Sequence, residues 1–456
     1  MYSPILNAIQ EHINKGRISF HTPSHKGAEG SYLSFFADFL KYDLTEIPDT
    51  VGLFANSGPV YEAMELAAKA FGTAATLFSA GGCTHAIQAM LRLACKEGGK
   101  IIAGRNLHPA AVNAMALLDI DPVFIQPEME GKCALGGRIS PDAVERKLSK
   151  NKDAQVVYIT SPDYFGIMSD IAAISGVAKK YGVPVIVDNA HGAHLLYAAD
   201  NLHPIRLGAA MSADSSHKTL PVLTAGAWLQ IADEKYKADA LDAMRLFGST
   251  SPSFPVLLSL DLCRAWLEEK GAEEFNKLKT RLESVKAALN ETPFIKPEGL
   301  VDPYRIAFDA SCLNRSDDEI YEFFHSRNIE PEFISRGAAV FIPSPFNTEN
   351  EINTLAKAIT ELQSIQKAKG NSDVSYAAPH LPNKAMTIRQ AVMAESEYVP
   401  IEKAKGRIAA AAEFICPPGF ALTIPGEIID DESVENLYRA RIFNIKVVKS
   451  GAVKYN

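Results

Sequence analysis

Val183-Pro-Val-Ile-Val-Asp188-Asn-Ala-His191-Gly-Ala-His194 is an apolar run that ends in a carboxylate and two histidines. A run of this kind reads as a strand buried on both faces. Its carboxylate then sits at the strand's C-terminal end, where open α/β sheets meet their ligands. Outward from it, Ile101 to Ala103, Val123 to Gln126, Val156 to Thr160 and Ala225 to Ile231 read as further strands. Between them lie the helix-like stretches Ala63 to Phe71, Ala86 to Ala94 and Ile171 to Tyr181, the last running into Gly182 as a stop. Strands alternating with helices predict an α/β fold with a large, mostly parallel sheet covered on both faces.

Further along, Pro255 to Leu289 reads as a long helical stretch leading out of the sheet domain. Arg305 to Phe308 and Ala338 to Ile342 read as strands of a smaller α+β domain, closed by a helix over Glu349 to Lys369. Gly370 to Ser375 is polar and reads as a linker, followed by a helix over Pro400 to Glu413 and a turn-rich run, Cys416 to Glu427. The expected division is an approach segment over 1–45, a large domain over 46–290, a small domain over 291–370 and a C-terminal domain over 371–456.

Composition narrows the function classes. A chain of 456 residues exceeds one small core. The formal charge of −8 argues against non-specific nucleic-acid binding, which needs a basic surface. No apolar run is long enough to span a bilayer, and Met1 to Gly16 lacks a secretory pattern. The six cysteines are scattered without a CxxC pair, which predicts reduced thiols in a cytoplasmic protein.

Four segments carry chemistry. Ser215-Ser-His217-Lys218-Thr-Leu220 sets a lysine among hydroxyls between two buried elements. Most lysines are solvated surface charges, but one held in such a pocket can form a Schiff base, and its serines can donate to a phosphate. Thirty residues upstream, Asp188 is placed to hold a pyridine nitrogen protonated, as pyridoxal 5′-phosphate (PLP) requires; alone it reads equally as a helix cap. Phe78-Ser-Ala-Gly-Gly82-Cys83-Thr84-His85 is a glycine turn feeding a helix, which presents free N–H groups to a phosphate or is a plain turn. Arg105-Asn-Leu-His108 follows a strand and offers a ring to stack on a cofactor. The pairs His191/His194 and His21/His25 have metal-ligand spacing but lack the glutamate-bearing helix signature, and no metal is expected.

Together these segments resemble the fold-type I, PLP-dependent ornithine/lysine/arginine decarboxylase family. The resemblance also rests on His21-Thr-Pro-Ser-His-Lys-Gly27, Ser161-Pro-Asp-Tyr-Phe-Gly166, Ser249-Thr-Ser-Pro-Ser253, Pro417-Pro-Gly419 and Ile424-Pro-Gly-Glu427, in chain order over nearly the whole length. It implies a lyase that removes the carboxylate of a basic amino acid, in amino-acid or polyamine metabolism, as a homodimer or higher homo-oligomer. Lys218 is then the Schiff-base residue, Asp188 the pyridinium partner and His108 the ring that stacks on the cofactor. His217 lies by the reacting Cα as a proton donor, and His191 belongs to the cofactor site. Thr84, Ser215 and the N–H groups near Gly82 and Cys83 hold the phosphate. Ser249 and Thr250 reach the neighbouring subunit's phosphate, and Glu427 meets the substrate's distal cation. The long members' extra N-terminal domain is not expected here.

The chain departs from the family pattern at several points. Ala80-Gly-Gly-Cys83 stands where the family has Asn-Gly followed by two hydroxyl residues, and Asn189 stands where it has Glu. Ala225 replaces a Gln, and Pro109-Ala110 follow His108 in place of Lys-Ser. Transamination, β-elimination and aldol cleavage use the same lysine and aspartate, so they are the rival reactions. A non-catalytic regulatory or scaffold protein is the rival of a different class.

Overall fold

A computed structural model describes residues 1–26, 34–129, 136–197, 201–365, 380–415 and 419–451. Gly27, Cys133, residues 366–379 with the linker 370–375, and residues 416–418 lie outside them. The chain forms two compact units, Met1–Ala94 with Val185–Ala272 and Cys95–Pro184 with Glu273–Asn456.

Seven strands belong to a mostly parallel α/β sheet: β1 (Ala75–Ser79), β2 (Lys100–Gly104), β3 (Asp121–Ile125), β4 (Ala154–Thr160), β5 (Val185–Asp188), β6 (Met211–Asp214) and β7 (Ala227–Ile231). In the first unit the order is β1-β7-β6-β5, with β5 and β6 parallel and β7 antiparallel to both neighbours. In the second the order is β4-β2-β3, all parallel. Every residue of β1, β5, β6 and β7 is buried, which explains apolar runs without alternation. β1 and β6 were not expected; β6 reads Met-Ser-Ala-Asp, too short and polar to announce a strand.

The helix Pro59–Phe71 begins earlier than the alanine pattern suggests, because Pro59 occupies its first turn and Gly72 closes it at φ +65°. Its Phe71 packs on Trp228 of β7, ring centres 4.8 Å apart. The helix Ile171–Lys180 starts where Asp170 accepts the Ala173 N–H, and the Gly82–Ala94 helix takes the glycine turn into its first turn. The stretch from 254 is broken into Phe254–Trp266, a π-helical turn Leu267–Gly271, Ala272–Arg281 and Glu283–Asn290.

In the second unit, β8 (Ile306–Asp309), β9 (Phe333–Ser335) and β10 (Ala338–Phe341) form an antiparallel sheet in the order β8-β10-β9. The helix Glu349–Leu362 opens on a capping box of Thr348 and Glu351. The helix expected over Pro400 to Glu413 is not formed. That stretch follows β11 (Ser396–Pro400), makes one 3₁₀ turn at Ile401–Lys403 and ends in β12 (Glu413–Ile415). Gly406, Ala409 and Ala410 donate their N–H groups to the carbonyls of Ile429, Glu427 and Lys446, so distant partners replace the helical ladder that the alanines favour. Within the run read as turn-rich, Phe420–Thr423 is strand β13, paired with β12. No helix among the described residues is long and apolar enough to cross a membrane.

Candidate active site

Asp188 closes β5 and is buried; its Oδ1 accepts the Ala190 N–H at 3.2 Å. One strand over, β6 ends at Asp214 and the chain turns through a single helical turn, Ser216–Thr219. Lys218 stands half-buried on this turn, its Nζ 3.3 Å from His191 Nε2. Among the described residues no carboxylate pairs with it, so its amine faces an imidazole.

His217 has its Nδ1 3.2 Å from the Gly226 carbonyl and 3.4 Å from Ser215 Oγ. A carbonyl only accepts, so Nδ1 carries the proton and Nε2 is the nitrogen left for acid–base work. The Ser216 Oγ and Thr219 Oγ1 atoms are buried beside Lys218 with no hydrogen-bond partner among the described residues. Sequence reasoning read the serines of this segment as phosphate donors but gave Thr219 no role; the clustering of hydroxyls at 215, 216 and 219 was its only signal.

The glycine turn is tied to the same region. Gly82 has φ +73°, and its N–H donates to the Ala225 carbonyl at 2.8 Å. The donor expected to serve a phosphate is therefore used internally at Gly82. The following N–H groups of the first turn, at Cys83 and Thr84, have no intrahelical acceptor. Thr84 is exposed and Cys83 buried. Burial pushes the Cys83 thiol well up, Asp188 and Asp214 push it further and Lys218 opposes them. His85 donates from Nε2 to the Met244 carbonyl at 2.8 Å, leaving Nδ1 to contact Ser79 Oγ at 2.9 Å. A Cβ at Gly248 would sit 2.8 Å from the His85 ring, so the exposed Ser249 and Thr250 follow a backbone pressed against the first turn of that helix. His191 and His194 are both buried.

In the second unit, His108 is exposed and caps the helix Pro109–Leu118, its Nδ1 accepting the Ala110 N–H at 3.1 Å. Glu427, expected to meet a substrate's distal cation, already has a cation of the chain as its partner in this structure. It is buried and holds Arg105 through both oxygens, at 2.5 and 2.7 Å, and it accepts the Ile424 N–H at 2.7 Å. Arg105 adds a bond from Nε to the Ala421 carbonyl at 3.0 Å and lies over the Phe124 ring at 5.0 Å. The sequence contained both residues in matched segments but no sign that they pair across more than three hundred positions. In the segment 161–166, Asp163 is buried, and burial raises its carboxyl from 3.8 to about 7 despite N–H donors from Ile167 and Phe165 and the nearby Arg305.

A buried aspartate closing one parallel strand, with a lysine on the turn after its neighbour, is the architecture of fold-type I PLP enzymes. The lysine decarboxylase of Francisella novicida has this fold, with a TM-score of 0.81 at 17% identity over 98% of this chain and 81% of its own. An L-threonine transaldolase of Pseudomonas fluorescens matches with a TM-score of 0.55 at 16% identity over 77% of each chain. The description "Orn/Lys/Arg decarboxylase, major domain" matches residues 3–320, and "Orn/Lys/Arg decarboxylase, C-terminal domain" matches 371–442. The arginine decarboxylase of Bacillus subtilis is 30% identical over 96% of this chain and 93% of its own, and that of Halalkalibacterium halodurans 31% over 95% and 92%. The chain belongs to the Orn/Lys/Arg decarboxylase family, and it is a lyase of the amino-acid decarboxylase class.

Proposed function

We propose that this enzyme decarboxylates a basic amino acid, arginine first among them, using PLP held as a Schiff base on Lys218. The observation that carries this reading is the Lys218 amine, without a carboxylate partner among the described residues, facing His191 in the turn that follows the strand Asp188 closes. The arginine preference rests on the relatives' names.

The residues present fit PLP. A nucleophilic amine, a buried carboxylate, two buried hydroxyls without partners among the described residues and a helix N-terminus are what an aldehyde, a pyridine nitrogen and a phosphate require. When bound, PLP supplies the electron sink that makes loss of CO2 from Cα accessible. The protein does the rest. Asp188 would keep the ring nitrogen protonated, and the Lys218 amine would hold the cofactor through its aldehyde carbon. His217, once its Nε2 has taken up a proton beside the one on Nδ1, would hand that Nε2 proton to Cα, and His191 Nε2 would hold the nitrogen of Lys218 in place. Cys83 and Thr84 N–H groups, with the Thr84 and Ser215 hydroxyls, hold the phosphate. His108 stacks on the ring. Ser249 and Thr250 reach the phosphate of a second copy in a cytoplasmic homodimer. Glu427 serves Arg105 in this reading, not the substrate. The reading keeps the domain division at 45, 290 and 370.

The test is to incubate purified enzyme and PLP with L-arginine, L-lysine and L-ornithine and to measure CO2, amine, ammonia and keto acid. CO2 with one equivalent of amine from at least one substrate is expected. Keto acid or ammonia without CO2 would replace decarboxylation by transamination or elimination.

A further inference from the structure

Asn189 and Asp214 follow one another across the ends of β5 and β6. The ladder pairs Asp188 with Ala213, and its last backbone bond runs from the Asn189 N–H to the Ala213 carbonyl at 3.0 Å. Beyond that point side chains take over. The Asn189 amide donates to Asp214 Oδ1 at 2.8 Å, and Ser212 Oγ donates to the same oxygen at 3.0 Å. The other oxygen, Oδ2, lies 3.0 Å from His203 Nε2. The Ile205 N–H points at His203 Nδ1 at 3.4 Å, which makes Nδ1 the acceptor and Nε2–H the donor to Asp214. All four side chains are buried.

The network touches both candidate cofactor anchors through the shortest possible tethers. Asn189 is the residue after Asp188, and Asp214 precedes Ser215 and the turn that carries Lys218. Successive side chains leave a strand on opposite faces, so Asp188 and Asn189 divide the work: one turns to the cofactor side, the other is fastened to Asp214. A carboxylate at 189 would face the Asp214 carboxylate at hydrogen-bond distance, and two like charges there repel. An amide supplies the donor that Asp214 needs. Asn189 and Asp214 are therefore one unit, in which the carboxylate has its place on β6 and the donor its place on β5.

We propose that Asp214, held by Asn189, His203 and Ser212, is a positioning residue that sets the separation of Asp188 and Lys218 and so retains PLP. The proposal rests on the reading that PLP binds at Lys218. It acts through the ends of two strands, not through contact with the reacting atoms.

The experiment follows purified holoenzyme during dialysis, reading the rate at which the visible PLP band is lost and its circular dichroism, with the thermal midpoint measured separately. Asp214→Asn should release PLP about tenfold faster or more, the size expected for weakening a charge-assisted hydrogen bond, and alter the visible dichroism. Asn189→Asp should do the same. The double variant, Asn189→Asp with Asp214→Asn, exchanges carboxylate and donor and should recover most of the retention. Ser212→Ala removes one donor of three and supplies a milder case should either single variant fail to fold; it should show a smaller change in the same direction. Wild-type release and dichroism in Asp214→Asn or in Ser212→Ala, with only a lowered thermal midpoint, would overturn the proposal, as would a double variant worse than both singles. A wild-type enzyme with no visible band after PLP loading would instead sink the reading of Lys218.

Discussion

Arg105 and Lys218 are both cations placed just beyond the C-terminal end of a sheet strand, and their surroundings differ sharply. Arg105 is fully buried, with a bidentate carboxylate, a backbone carbonyl and an aromatic face. Lys218 is half-buried and has one imidazole nitrogen at 3.3 Å. A guanidinium fits a carboxylate in a planar fork and remains charged, so Arg105 can only be structural. An amine with no carboxylate at ion-pair distance among the described residues keeps its nucleophilic potential. Two cations beyond strand ends are thus told apart by how completely their hydrogens are used.

Four outcomes sharpen or break this contrast. Lys218→Arg and Lys218→Ala should both abolish the visible PLP band and turnover, although the first retains the positive charge; a coloured, active Lys218→Arg enzyme would mean that charge, not nucleophilicity, is what the position supplies. Asp188→Asn should keep the colour and lower kcat by about 10²–10³-fold, the range for losing one preorganised electrostatic partner. Glu427→Ala leaves a buried guanidinium without its anion and should cost about 3–5 kcal/mol in urea unfolding, while Arg105→Met with Glu427→Met should restore much of it. If Glu427→Ala were as stable as wild type and raised only KM, Glu427 would return to the substrate.

The smallest effect concerns pH. Asp163 binds its proton more tightly in the fold, about 7, than at its ordinary 3.8. Its contribution to stability is therefore complete below 3.8, falls as pH rises through about 7 and is flat above that. The loss is on the order of a few kcal/mol. Asp163→Asn should flatten this part of the stability profile, measured by urea titrations across that range; an unchanged slope would place the titration elsewhere.

The contrast also shows what a sequence can announce. Strands of the central sheet declare themselves by unbroken apolar runs, so β2, β3, β4, β5 and β7 were legible, as was the aspartate that ends β5. Lys218 was legible because hydroxyls crowd it. Met211–Asp214 was not, since a four-residue strand with a serine and an aspartate has no periodicity to detect. The Arg105–Glu427 pair and the His203–Asp214–Asn189 network were hidden for another reason: each joins separate segments of the chain, and pairing across such distances leaves no local pattern. Residues 400–413 show the converse error, in which alanines favour a helix locally while their N–H groups are claimed by distant carbonyls.

The central claim is that Lys218 is the residue that carries PLP. Reducing the purified, PLP-loaded enzyme with borohydride converts the imine to a stable secondary amine, and peptide mass mapping then locates the pyridoxyl group. The account predicts one modified lysine per chain, Lys218, in the peptide containing Ser215 to Leu220. A pyridoxyl group on any other lysine, or none on a chain that releases CO2 from a basic amino acid, would contradict it.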